Sequence, residues 1–514
     1  MQGYDEVDYC QKLDLSLWKR LFHIARPYHK WLFLSLFAMA VCAACDVIFP
    51  QLTGYAIDHF ITRHASDGMT GFVVKYVVVL LVQVGCTFAF LYLSGKVEVG
   101  TCHLIRQMGF QKLQELPFSY YDRMPVGYLL SRMTTDTQRL ADTIGWSLLD
   151  VVWGVIYLIL CSIQMFLLNW RLAAVIVLVL PPLAVISLYF QKRILNAHRE
   201  IRKTNSKITG AFNEGIMGAK TTKTLVREEK NIEEFTQLTT QMRTSSIRAA
   251  SLSALFLPIV VSLGSLATAY ALYKGGMEVM AVPAAMTLGT LQVFINYSLS
   301  FFQPVRDIAR IFAELQSSQA AAERVLSLLA TEPEIKDSPQ VVEVFGDNFH
   351  PKKENWPPFH GDIVFEDVSF RYNDGEQVLS HFNLHVKAGE SIALVGETGS
   401  GKSTIVNLIC RFYEPTEGRI LIDGVDYRQR SLLWLQRHLG YVLQQPHMFS
   451  GTIRDNICYG KPDATDDEVL RAAKLANAHA FIKKLPKGYD TYVGEGGSLL
   501  SSGEKQLVSF ARAI

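Results

Sequence analysis

Charge is scarce in the first three hundred residues and unbiased overall: 50 Lys and Arg stand against 48 Asp and Glu, a formal net charge of +2. That balance supplies no broad basic surface, and no nucleic-acid partner is expected. Cysteine is thin too, with eight residues scattered along 514. Cys42 and Cys45 form a C-x-x-C inside an apolar run with no further Cys or His nearby, which reads as helix packing rather than metal or redox chemistry. The first 30 residues contain no cleavable apolar leader. A mean hydropathy of +0.16 with so little net charge points away from a soluble globule.

What fills the space left by charge is long apolar sequence. Runs such as KWLFLSLFAMAVCAACDVIF, GFVVKYVVVLLVQVGCTFAFLYL, WSLLDVVWGVIYLILCSIQMFLL and LAAVIVLVLPPLAVISLYF each approach the roughly 20 residues that cross a bilayer core. Two more cover Ala250–Leu272 and Met286–Phe302, for an expected total of six spans. Buried helices of a soluble bundle would carry a polar stripe at 3.6-residue spacing, and these runs show little of one. Asp46 lies within the first run, where a charge at the bilayer centre costs roughly 2.5–3.5 kcal/mol. Two readings stay open for it: a cavity-facing contact for cationic or polar cargo, or a carboxylate near enough to the outer interface, by Pro50 and Asp58, to stay solvated or hydrogen-bonded. Trp31, Trp146 and Trp170 read as interfacial anchors.

Basic residues fall on one side of these runs. Lys12, Lys19, Arg20, Arg26 and Lys30 precede the first; Arg106, Lys112, Arg123, Arg132 and Arg139 follow the second; twelve more follow the fourth. The intervening connections hold Arg63, Arg171 and Lys274. The asymmetry places both termini in the cytoplasm of a multi-pass protein of the cytoplasmic (plasma) membrane, with Met1–Arg26 as an amphipathic lead-in on the inner face. The segments Lys96–Asp142 and Gln191–Arg248 are helix-forming and nearly free of Pro and Gly, so the spanning helices are expected to continue beyond the bilayer. Each is broken once, around Pro117, Pro125 and Gly127 and around Gly215 and Gly218, leaving a short helix at the turn.

Composition then changes. Residues 331–360, rich in Pro and charge, read as a linker. From 361 to 514 the pattern is α/β, with strand-like DIVFEDVSFRY, SIALVG and RILIDG between helix-like KSTIVNLICRFY and DDEVLRAAKLANAHAFIKKL. GETGSGKST, comprising Gly396, Glu397, Thr398, Gly399, Ser400, Gly401, Lys402, Ser403 and Thr404, satisfies G-x-x-x-x-G-K-[ST] between an expected strand and a helix. Glycines there let backbone N–H groups turn inward on a phosphate, and a helix N-terminus adds its dipole. Lys402 then reaches the β- and γ-phosphates of ATP, and the Ser403 hydroxyl ligates Mg²⁺.

These motifs resemble those of ATP-binding cassette transporters, specifically half-size exporters with one six-span membrane domain followed by one nucleotide-binding domain, and the resemblance covers nearly the whole chain. It implies a membrane domain over 1–330 with two cytoplasmic coupling helices, the linker, and an α/β P-loop domain over 361–514. In FRYNDGEQVLSHFNL it makes Tyr372, some two dozen residues before the phosphate loop, the ring that stacks on adenine. FYEPTEGRILIDGVD is similar to the family segment that follows the phosphate-loop helix. YVLQQPHMFSGTIRDNI resembles the exporter Q-loop, making Gln444, rather than Gln445, the Mg²⁺ and water contact; TYVGEGG resembles the stretch that meets coupling helices, through Glu495. LSSGE at Leu500–Glu504 resembles the signature L-S-G-G-Q, with Ser502 and Glu504 departing from it. Ser501 and Gly503 keep the positions that face the phosphate of a partner's ATP, and Glu504 sets a carboxylate beside them.

The family's apolar strand ending in Asp-Glu, its D-loop and its switch His do not precede Ile514, and no earlier carboxylate pair takes their place. No catalytic residue is therefore assigned, the nucleotide domain is expected to be incomplete at its C-terminus, and hydrolysis by the chain alone is not expected. The resemblance implies ATP-driven export of an amphipathic drug, lipid or peptide by a homo- or heterodimer. Alternatives are a nucleotide-binding regulator that does not pump, the degenerate half of a heterodimer, and a soluble P-loop ATPase.

Overall fold

The computed structural model describes residues 14–64, 66–281, 286–372 and 375–514. The start of the expected lead-in, including Lys12, lies outside them. Two compact units divide the chain: 1–114 with 126–331, and 115–125 with 332–514.

The first unit is helical. An entry helix α1 (Leu15–Ile24) is capped by Asp14, whose carboxylate accepts the Ser16 N–H at 2.8 Å. Then come α2 (His29–Ala56) and α3 (Met69–Glu115); the short α4 (Phe118–Arg123) belongs to the second unit. The first unit resumes with α5 (Val126–Leu168) and α6 (Trp170–Met217). A short α7 (Ala219–Thr224) turns the chain, and α8 (Glu228–Met280), α9 (Leu288–Ser300) and α10 (Gln303–Ala330) follow. In hydrocarbon only a helix satisfies its own backbone, so the apolar runs fold as helices, the fourth with a turn at Val179 ahead of Pro181 and Pro182, and continue past the bilayer where the sequence turns polar. The breaks fall at Pro117 and Gly218, as expected from the sequence.

Among the described residues, five helices are individually long and apolar enough to cross a membrane. The sixth expected run is divided: α9 has 13 residues, about 20 Å at 1.5 Å each, and stops at Phe301 and Phe302, both buried. Pro304 sits in the first turn of α10, where its missing N–H costs nothing. Phe294, Tyr297, Phe301 and Phe302 are nevertheless central to the membrane core, packed with Ala43, Val47, Tyr157, Met165 and Ile176. By contrast α3 turns Val74, Leu81, Val84 and Phe88 outward, the arrangement expected of a lipid-facing helix. Gly54 of α2 and Gly289 of α9 meet backbone to backbone: a Cβ on Gly54 would lie 2.7 Å from the Gly289 carbonyl oxygen. Asp58 holds this junction by accepting the Thr287 hydroxyl at 2.5 Å and the Gly289 N–H at 2.7 Å. Asp46 accepts Gln83 Nε2 at 2.7 Å and Trp153 Nε1 at 3.1 Å, tying α2 to α3 and α5. Of its two readings, the hydrogen-bonded one matches these contacts.

In the second unit, α11 (Pro339–Phe345) precedes an antiparallel sheet of order β2-β1-β3-β4, made of β1 (Ile363–Arg371), β2 (Gln377–Val386), β3 (Glu417–Ile422) and β4 (Val425–Asp426). Phe365, Val368 and Phe370 pack from β1 onto Ile405 and Leu408 of α12 (Lys402–Ile409) and onto Trp434 of α13 (Leu432–Arg437). The expected strand SIALVG differs: residues 391–396 pair with no strand among the described residues, and Val395 is 92% exposed. A strand exists only as part of a ladder, so an apolar run without a neighbour stays extended and unpaired. A separate apolar cluster joins α14 (Ile453–Ile457), α15 (Asp466–Leu475), α16 (His479–Ile482) and α17 (Ser502–Ala513). α15 and α16, expected as one helix, part at Asn477, which adopts a left-handed φ of 58°.

Parts of the segment 336–360 are anchored to the second unit while much of it stays exposed. The Arg411 side chain, 2% exposed, donates to Asp337 at 3.0 Å, to Glu414 at 2.8 Å, and to the carbonyls of Tyr427 and Arg430. Asp337 in turn accepts the Leu432 N–H, and Trp434 Nε1 donates to the Pro357 carbonyl at 2.9 Å. Removing one partner strands a buried charge, so Arg411→Leu is expected to destabilise the second unit by about 3–5 kcal/mol. Thermal unfolding followed by tryptophan fluorescence checks this, and a melt unchanged within error refutes it.

Candidate functional site

The loop before α12 owes its shape to three glycines. Gly399 and Gly401 have φ of 91° and 87°, in the region that disfavours a side chain, and a Cβ on Gly401 would also press on Leu379 at 3.1 Å. A Cβ on Gly396 would meet Ser400 Oγ at 2.6 Å. The loop closes around the Lys402 ammonium, which donates to the carbonyls of Gly396 at 2.8 Å and Glu397 at 2.6 Å and approaches Ser400 Oγ at 3.4 Å. α12 begins at Lys402, so its unsatisfied N–H groups and positive dipole end open onto the same loop. Thr398 and Ser403 are exposed, and Thr404 is buried behind them. A close glycine-lined turn, one cation and a helix N-terminus fit a polyphosphate, and the exposed Ser403 hydroxyl on the first turn fits a Mg²⁺ ligand.

Tyr372, at the end of β1, comes to this loop. Its hydroxyl lies 3.0 Å from Thr404 Oγ1, and its ring packs edge-on against Phe370 and Tyr413 at centroid distances of 4.8 and 5.0 Å. Tyr413 was not singled out from the sequence, yet it extends the contact further. Its hydroxyl donates to Asp122 of α4, and burial together with that carboxylate pushes the phenol's pKa up, so it remains a donor. Phe118 of α4 stacks on Phe412 at 5.3 Å, while Ser119 and Arg123 donate to Glu334 at 3.0 and 3.1 Å. A continuous path thus runs Asp122–Tyr413–Tyr372–Thr404, from a short helix to the phosphate loop. The partners Asp122 and Tyr413 are 291 positions apart, and no local pattern announces such a pair.

Gln444 lies exposed at a bend, and Glu495 is exposed as well. Ser501 and Gly503 stand at the head of α17, whose core is separate from the one beneath the phosphate loop. Neither makes a hydrogen bond to that loop among the described residues. Glu504 acts locally. It accepts the Ser501 N–H at 2.8 Å and hydroxyl at 2.7 Å, while its own N–H donates to Ser501 Oγ at 3.3 Å, a reciprocal cap on α17. These bonds from Ser501 hold the Glu504 carboxyl below the usual glutamate range. The carboxylate at the departing signature position is thus directed onto its own helix. Arg512, another residue that carries no motif of its own, ties α17 to the 447–456 segment through the carbonyls of His447 and Asn456 at 3.0 and 2.8 Å.

Lys402→Ala is expected to remove most nucleotide binding, because only dipoles remain around the phosphates. Titration of the purified variant with a fluorescent ATP analogue tests it, and an unchanged affinity rules the phosphate-loop assignment out.

Two family models match the chain: one described as the ABC transporter transmembrane region over residues 32–305, and one described as ABC transporter over 379–514. An uncharacterized ABC transporter ATP-binding protein of Bacillus subtilis, YfiC, is 34% identical over 94% of this chain and 78% of its own length. An ATP-dependent lipid A-core flippase of Desulfotalea psychrophila is 31% identical over 96% of this chain and 84% of its own. A flippase of the same name from Syntrophus aciditrophicus is 30% identical over 97% and 81%. With a multi-pass helical domain, a phosphate loop at a helix N-terminus and this similarity over nearly its whole length, the chain belongs to the ATP-binding cassette transporters, as a half-transporter of exporter type.

Proposed function

We propose that the chain is one half of a dimeric exporter that uses ATP to move an amphipathic molecule, lipid-like in character, out across the plasma membrane. The observation that carries the reading is the Asp122–Tyr413–Tyr372–Thr404 path, which sets α4, at the end of the long α3, against the phosphate-loop helix. In this reading Tyr372 stacks on adenine, Gly396–Thr404 enclose the phosphates, and Ser403 with Gln444 hold Mg²⁺. Ser501 and Gly503 meet the γ-phosphate of the ATP bound by the partner chain. The names of the two flippases support a lipid-like cargo. The test is reconstitution in liposomes together with a partner half-transporter whose nucleotide domain carries the apolar strand ending in Asp-Glu, with ATP supplied on the nucleotide-domain side. Acceleration of transbilayer movement of a fluorescent lipid, lost in Lys402→Ala and in Ser501→Arg while Ser501→Arg still binds ATP, supports the proposal. Nucleotide binding with no ATP-dependent movement of any amphipathic probe favours the regulator instead.

The basic residues beside the apolar runs support a topology with both termini in the cytoplasm. In a background without native cysteines, Ser66→Cys and Met277→Cys are expected to react with an impermeant thiol reagent from outside intact cells. Ser119→Cys and Thr221→Cys are expected to stay unlabelled; the reverse pattern inverts the orientation.

A further inference from the structure

The structure holds a cavity lined by both charged and apolar groups, far in sequence from the phosphate loop and inside the first unit alone. It opens between α6 and α8, has a volume of about 510 Å³, and is lined by Tyr189, Lys192, Arg193, Asn196, Arg248 and Leu252, with Glu200 also at its wall. Three cations thus face one carboxylate. None of the three forms an ion pair among the described residues, whereas Arg310 and Arg324 in the same unit do. The Arg193 guanidinium lies over the Tyr189 ring, 5.1 Å from its centroid, which turns it along the cavity wall.

Its level along the helices is what identifies the occupant. On α6 the apolar run ends at Phe190 and polar residues begin at Gln191; on α8 the apolar run begins just after Arg248. Phe190 and Phe256 close the packing on the apolar side, with ring centroids 5.7 Å apart. Leu188, Tyr189 and Leu255 remain more than half exposed beside the cavity. The cations therefore stand where both helices pass from hydrocarbon to headgroup, with apolar surface leading away into the bilayer.

We propose that this cavity is a binding site for the headgroup of an anionic phospholipid, its phosphate received by Lys192, Arg193 and Arg248, its polar substituent near Asn196, and its chains lying along Leu188 and Leu255. A zwitterionic headgroup brings its own cation into a site that already holds three, and is disfavoured. The site is independent of the cargo and of the nucleotide chemistry proposed above. Solvated positive charges that merely set topology would give the same count of residues but no preference among lipids, and this is the reading to be separated.

The purified full chain in detergent is titrated with phosphatidylglycerol, phosphatidylcholine or inorganic phosphate, with melting temperature and lipid retention in native mass spectrometry as readouts. Phosphatidylglycerol is expected to be retained and to raise the melting temperature, with little effect from the other two. The triple variant Lys192→Ala, Arg193→Ala, Arg248→Ala is expected to bind phosphatidylglycerol about a hundredfold more weakly, at roughly fivefold per cation near a membrane surface. Arg199→Ala, Arg202→Ala, Lys203→Ala, which removes the same charge farther along α6, is expected to leave binding unchanged. If the first triple variant cannot be purified, Arg248→Gln alone, with an expected loss of about fivefold, decides the matter. Equal loss in both triple variants, or none in either, overturns the site in favour of diffuse charge. Stabilisation by inorganic phosphate equal to that by phosphatidylglycerol overturns the lipid as occupant.

Discussion

A guanidinium withdrawn from water must be met on every side, and Arg411 is met by two carboxylates and by the backbone carbonyls of Tyr427 and Arg430. It follows α12 by two residues and takes a left-handed φ of 53°, a conformation that a side chain of its size adopts only when its surroundings compensate. The compensation is the network itself. It fixes the end of α12, draws in residues 336 and 337, and sets the loop that leads into α13, whose first N–H is bonded to Asp337. With its far end pinned in this way, α12 presents its N-terminus to the glycine loop in one orientation. The orientation of Lys402 therefore rests on an ion pair formed at the opposite end of the same eight-residue helix.

The membrane unit answers a different constraint. Lipid offers the backbone no hydrogen-bond partner, so the chain remains helical throughout and specificity has to come from the few polar or very small residues between helices. Asp46 supplies one such point by bonding to α3 and α5 together, and Gly54 with Gly289 supplies another by letting two backbones touch. Asp58 adds polar bonds where that close contact occurs.

Much of this could be read in the sequence because its causes are local. Gly399, Gly401 and Lys402 lie within four positions, so the motif that marks the loop is contained in one short stretch. The reciprocal cap of Ser501 and Glu504 is likewise complete within a span of four residues. The broken helices were legible from Pro117 and Gly218. The division at Phe301–Phe302 was not, since two aromatic residues interrupt no apolar pattern, and the left-handed Asn477 lies inside a run of good helix formers. Tyr413 and Asp122 escaped for the opposite reason: each is ordinary in its own surroundings and acquires a role only when the chain brings them together. The segment 391–396 shows the limit of reading strands from composition, because a strand depends on neighbours that its own residues do not specify.

The length of α3 has a mechanical consequence. Its 47 residues form a rod of about 70 Å, more than twice the thickness of a bilayer's hydrocarbon core. A rod of that length tilted by about one degree about one end carries the other through about 1 Å, roughly a third of a hydrogen-bond length. Its far end leads through Leu116 and Pro117 directly into α4, where Ser119, Asp122 and Arg123 are held by hydrogen bonds that tolerate little more than such a displacement. Leverage of this kind makes the far end of α3 the part of the helix that a small change of tilt displaces most.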